Sequence, residues 1–136
     1  MIYPNNFEQK IGFDQIRHIL QGRCLSTLGK DKVEEMQFSQ SHDEVKRRLD
    51  EVEEFVRIIQ EEDTFPNQYF FDVRPALHRA SIVGMYMDEG ELFDLRRSLD
   101  TINHIVRFFY RNEEEPSRFP NLEALATEVQ SFPTLT

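Results

Sequence analysis

An all-α fold is what this sequence predicts. Apolar residues recur every three or four positions through two long stretches, nothing alternates apolar and polar with period two for long enough to make a strand, and cap and breaker residues punctuate the chain at helical intervals. The expected architecture is a helical bundle-like domain: two long antiparallel amphipathic helices and several shorter ones, in a single domain over residues 1–136.

Residues around 5–11 read as a short first helix. Asp14 is placed to cap a second, in which Ile16, Ile19 and Leu20 share a face and Gly22 weakens the end. Ser26 caps a third helix reaching about Met36. Gly29 in its first turn carries no side chain, which points to close packing there.

Ser41-His42-Asp43-Glu44 matches a capping box, in which Ser41 and Glu44 each accept a hydrogen bond from the other's unpaired amide. Over 43–61, Val45, Leu49, Val52, Val56 and Ile59 follow at spacings of four, three, four and three. That is a narrow heptad seam, with Phe55 beside it, and it requires a partner helix. Lys46-Arg47-Arg48 and Glu51, Glu53 and Glu54 fill the other positions as a solvated surface, and Pro66 ends the pattern.

The segment from about Thr64 to Val73 reads as a loop that lays Phe65, Tyr69, Phe70 and Phe71 against the bundle. A short helix follows from Pro75 to about Ile82, because proline lacks an amide hydrogen and suits a first turn. Gly84 breaks the chain. Asp88-Glu89-Gly90-Glu91 supplies an acidic cap for the longest helix, which ends near Asn112 and carries Leu92, Leu95, Leu99, Ile102, Val106 and Phe109 as a second seam. The seams at 43–61 and 88–111 most simply bury each other. Glu113-Glu114-Glu115-Pro116 makes a polar connection, Asn121 caps a last helix carrying Leu122, Leu125, Ala126 and Val129, and Pro133 halts it. The closing Thr134-Leu135-Thr136 reads either as the edge of a longer polypeptide or as a natural end.

Composition narrows the function classes. Hydrophobic residues make up 39% of the chain and charged residues 30%, with twelve phenylalanines, which describes an ordered protein and not a disordered tail. The formal charge of −9 opposes non-specific attraction to nucleic acid, so any such role is local or indirect. Cys24 is the single cysteine, which excludes an internal disulfide or a four-cysteine zinc site, and it reads as a small buried hydrophobe. No run of eighteen apolar residues and no secretory pattern occurs, so a cytoplasmic protein without a membrane partner is expected.

No catalytic, cofactor-binding or metal-binding set emerges. The phosphate loop G-x-x-x-x-G-K-[ST] is missing: Gly29-Lys30 is followed by Asp31, and Cys24 stands where the first glycine belongs. Histidines 18, 42, 78 and 104 fall on different elements without metal-ligand spacing. Asp100 and His104, four apart, are placed for a modest surface pair. The candidate contacts to an acidic partner or a phosphate backbone are Arg74, His78, Arg79, Arg96 and Arg97. Salt bridges to this chain's own abundant acids account for the same arginines and weigh more.

Asp72-Val73-Arg74-Pro75-Ala76-Leu77-His78-Arg79-Ala80 also carries a family resemblance. Read with Leu25-Ser26-Thr27-Leu28-Gly29-Lys30 upstream and Glu91-Leu92-Phe93-Asp94-Leu95-Arg96-Arg97-Ser98-Leu99 downstream, the chain resembles the N-terminal region of the second type of bacterial MutS protein. The likeness runs from Phe13-Asp14-Gln15-Ile16 through Phe119-Pro120-Asn121-Leu122 to Phe132-Pro133-Thr134-Leu135. It implies an N-terminal piece of a longer, MutS-like DNA-binding ATPase. The parent would be a homodimer that favours branched DNA, restrains recombination, often carries a C-terminal Smr nuclease domain and in some cases handles stalled ribosomes. ATP and magnesium would belong to that parent, with no cofactor in these residues. The piece itself would be a non-catalytic helical core segment whose partner is the remainder of the polypeptide. Arg74, Pro75, Leu77 and Arg79 match the family motif and take a structural role. Val83-Gly84-Met85-Tyr86-Met87 departs from the simpler glycine-containing link common in the family. The rival reading is a free-standing helical adaptor that binds another protein.

Overall fold

A computed structural model describes residues 5–62, 64–110 and 118–129. Among them stand seven helices and no strand, so the fold is all-α. They divide into two compact units, residues 1–38 and 39–136.

The first unit holds α1 (Phe7–Ile11), α2 (Phe13–Arg23) and α3 (Thr27–Glu34). Gly12, at φ +78°, turns the chain between α1 and α2 in a left-handed conformation that a side chain would strain. Asp14 therefore does not cap α2; Gly12 occupies the cap position and Asp14 lies inside the first turn. Ser26 caps α3, its Oγ accepting from the Gly29 amide at 3.4 Å, and the helix ends at Glu34 rather than Met36. A Cβ on Gly29 would lie 3.3 Å from Cys24 Cβ, the close approach its composition implied.

No side chain of these three helices is fully buried. Arg17 compensates. Its guanidinium donates to both Glu8 carboxylate oxygens at 3.1 and 3.0 Å, to Val33 O at 2.5 Å, to Glu34 O at 3.2 Å and to Met36 O at 2.9 Å. One cation thus ties α1 to the carbonyls at the end of α3, where a positive charge also suits the helix dipole. The Phe7 and Phe38 rings meet edge to face at 5.7 Å.

The second unit holds α4 (His42–Glu61), α5 (Arg74–Ala80), α6 (Glu89–Tyr110) and α7 (Pro120–Thr127). Ser41 Oγ accepts from the Glu44 amide at 3.3 Å, half of the expected capping box. Glu44 does not reach back; its carboxylate accepts from Ser39 Oγ and Arg48 instead. At α6 the box is complete: Asp88 Oδ1 accepts from the Glu91 amide at 2.8 Å and Glu91 Oε2 from the Asp88 amide at 3.0 Å.

The two long helices do not bury their seams in each other. α7 is the close helical neighbour of each, and the Phe65 ring spans the gap, edge to face with Phe55 of α4 and with Phe108 of α6. The apolar core is Ile58, Ala76, Phe119 and Ala126. On α4 the buried face is that of Glu54 and Ile58, while Leu49, Val52 and Ile59 of the heptad seam are 63%, 61% and 65% exposed. Periodicity finds an apolar stripe but not its partner, and α4 is turned with another stripe inward.

The last helix corrects a second expectation. Asn121 is not its cap: Phe119 holds the cap position, Pro120 opens the helix, and no side chain of Phe119 can accept. The acceptor is Glu54 on α4. Pro133, expected to halt the helix, and the 113–116 connection lie outside the described residues.

Candidate functional site

The 72–80 motif builds the turn into α5. Asp72 grips Arg74 bidentately, Nε to Oδ1 and Nη2 to Oδ2 at 2.8 Å each, and its Oδ1 also accepts from the Arg74 amide at 3.2 Å. Pro75 in the first turn needs no acceptor, Ala76 is buried and Leu77 is half exposed.

From the next turn Arg79 donates to the Glu91 carboxylate, which joins α5 to the capping box that starts α6. The Arg79 hydrogen bond, with help from the Asp88 amide, holds the Glu91 carboxyl below its ordinary range. Glu91 in turn holds Arg79 above its own. Of the five candidate cations, Arg74 and Arg79 are thus engaged with this unit's own acids. His78 and Arg96 are exposed.

Arg97 is placed differently. Its guanidinium carbon lies 4.2 Å from the Tyr69 ring centroid and 4.6 Å from that of Phe93. Tyr69 adopts φ +64°, a left-handed backbone for a bulky residue, and the hydroxyl of Thr101 fixes the loop just before it by donating to Gln68 O at 3.1 Å. The 64–69 loop therefore runs along α6. Two turns beyond Arg97, His104 and Arg107 line a pocket of about 450 Å³ together with Thr64, Pro66 and Phe108.

Sequence reading missed His104, Arg107 and Tyr69 as members of this site. The available signal was the seven-residue spacing of Arg97 and His104, which puts them on one face, beside an aromatic-rich loop of unknown course. His104 and Asp100 do not form the anticipated pair among the described residues. No group of three or more His, Cys, Asp or Glu residues that could hold a metal ion, and no helix long and apolar enough to cross a membrane, stands among the described residues.

The sequence has relatives among known proteins. The chain is 30% identical over 121 residues, 89% of its length, to the endonuclease MutS2 of Geobacillus sp. (strain WCH70). The chain is MutS2-related. The putative endonuclease MutS2 of Bacillus subtilis is 29% identical over 86% of the chain, and the endonuclease MutS2 of Alkaliphilus oremlandii 25% identical over 88%. No family model matches it. The chain spans about 15% of the length of each of these MutS2 proteins. The relation bears out the resemblance to the second type of bacterial MutS protein over most of the chain.

Proposed function

We propose that this chain is a helical scaffold segment of a MutS2-type protein, with no chemical step of its own. The observation that carries the reading is the α4 seam. Leu49, Val52 and Ile59 stand in heptad register, more than 60% exposed, on a helix whose other face is already packed. A stripe of this kind is unfavourable in water and is the usual mark of a surface that another helix covers. The relatives are several times longer than this chain, so the occupant is a helix from the remainder of the same polypeptide. In this reading the whole protein handles DNA in the cytoplasm and binds ATP and magnesium outside these residues, and this segment transmits motion between the parts it joins.

Two experiments test it. Reading the source gene past codon 136 is expected to show a frame that continues into G-x-x-x-x-G-K-[ST]; a stop codon there overturns the reading in favour of a free-standing adaptor. Co-expression of this chain with the remaining polypeptide as a second chain is expected to yield a complex on gel filtration, lost in the double variant Leu49→Glu, Val52→Glu. A complex indifferent to that variant means the seam is not the contact.

A further inference from the structure

The groove between the 64–69 loop and α6 carries cations that no acid of the described structure neutralises. Arg97 and Arg107 make no ion pair among the described residues, although this chain is rich in carboxylates and most of its other arginines are engaged by them. Asp100 flanks the strip and pairs with neither neighbour. With a rise of about 1.5 Å per residue, Arg97 and Arg107 stand about 15 Å apart along the helix. The Arg97 guanidinium carbon lies 4.2 Å from the Tyr69 ring centroid and 4.6 Å from that of Phe93, so two aromatic rings position this charge beside the loop.

The pocket that Arg107 helps to line adds a different chemistry. Phe108 and Pro66 give it an apolar surface, and the Thr64 hydroxyl, His104 and Arg107 supply polar groups. Its volume of about 450 Å³ suits a small planar group. The backbone under the site is held in a strained state: Tyr69 keeps its left-handed conformation while Thr101 pins the preceding carbonyl.

We infer that this groove binds single-stranded nucleic acid, with Arg97 and Arg107 on backbone phosphates and an unstacked base in the pocket beside Phe108. Cations along a track and aromatic surface for bases are the two parts that sequence-tolerant single-strand sites combine. A duplex offers the phosphates but keeps its bases stacked and paired, so it cannot fill the pocket. The net charge of −9 keeps the affinity modest, which suits a site that guides a strand held mainly by other parts of a larger protein.

The test is fluorescence anisotropy of the full 136-residue chain with a labelled oligothymidylate of about twelve nucleotides, and with a duplex of equal length, at low salt. The single strand is expected to bind with Kd on the order of 10⁻⁵ M and the duplex several-fold more weakly. Arg107→Gln, which breaks no hydrogen bond or ion pair among the described residues, is expected to weaken the single strand about fivefold and to lower the slope of log K against log salt by about 0.7. Arg97→Gln should do the same, with circular dichroism reporting whether the loop has been disturbed; if it has, Arg107→Gln decides alone. Arg47→Gln on α4, whose partner is Glu51, serves as the control and should leave binding unchanged. Absence of single-strand binding, preference for the duplex, or equal losses in the Arg107 and Arg47 variants overturns the inference. The double variant Leu49→Glu, Val52→Glu is expected to bind the oligonucleotide normally, so failure here and failure of the scaffold reading are separate results.

Discussion

Glu54 of α4 caps a helix that begins 66 residues later, at Pro120: its Oε1 accepts from the Asn121 amide at 3.1 Å and from Asn121 Nδ2 at 2.7 Å, and its Oε2 accepts from the Leu122 amide at 2.9 Å. These are the amides that a serine or aspartate at the cap position would serve from within the helix. The carboxylate is buried, and three donors plus the positive end of α7 offset the cost of removing it from water. Glu54→Ala leaves those donors without an acceptor and is expected to cost about 2–3 kcal/mol in a urea titration, with Glu54→Gln losing about 1–2 kcal/mol. A loss below about 0.5 kcal/mol for both would mean that water serves the amides equally well.

Ser98 shows the converse. Its hydroxyl is buried on α6 and meets no acceptor among the described residues. Ser98→Ala removes an unpaired polar group and adds a better helix former, so the variant is expected to be more stable by about 1 kcal/mol, seen as a raised Tm. A lowered Tm would mean that the hydroxyl has an unseen partner.

Acid should loosen the joint between α5 and α6. Because Arg79 and the Asp88 amide depress the Glu91 pKa in the folded chain, this pair's stabilisation is fully present above the ordinary glutamate value of 4.5 and is lost as pH falls through the lower folded value. Urea midpoints of wild type and Glu91→Gln measured from neutral pH downward should differ by a constant amount at first and converge in acid. The pair is part-exposed, so added salt should shrink the difference. Parallel curves at all pH values would remove Glu91 from the acid response.

The exposed α4 stripe makes an unusual prediction for apolar-to-charged changes. Leu49→Glu and Val52→Glu are each expected to shift the stability of the isolated chain by no more than about 0.5 kcal/mol and to raise its solubility. Were these side chains packed, each change would cost several kcal/mol. The melting curve alone therefore separates an open stripe from a covered one.

Arg17 is the single largest polar investment of the first unit. Arg17→Met keeps much of the apolar stem over Phe13 but removes donors to Glu8 and to three carbonyls at the end of α3. The expected loss is about 2–4 kcal/mol, confined to amide exchange in residues 5–38. Exchange that speeds up equally in the second unit would mean that the two units unfold together.

What could be read from the sequence was local. Ser26, Ser41 and Asp88 cap helices from within a few residues of the amides they serve, and Pro75, Gly84 and Gly29 act through their own backbones. Asn121 failed as a cap because the true acceptor lies on another helix, which no window around residue 121 contains. The α4 seam was visible as a stripe, yet its neighbour was assigned by economy: α7 packs on the Glu54 and Ile58 face of α4, and the stripe itself stays exposed. In the candidate site the arginines were visible as charges. Tyr69, His104 and Arg107 joined them only once the 64–69 loop was laid along α6, a course set by one hydroxyl-to-carbonyl bond and a left-handed tyrosine.

The reach from Glu54 to Asn121 also fixes an order of events during synthesis. An eight-residue helix such as α7 is too short to persist by itself, and its acceptor has left the ribosome long before it does. Nascent chains released before residue 120 would carry α4 with a carboxylate turned to a face that has nothing on it, open to hydration and to any passing amide. Completion of the last helix is therefore what quiets that face.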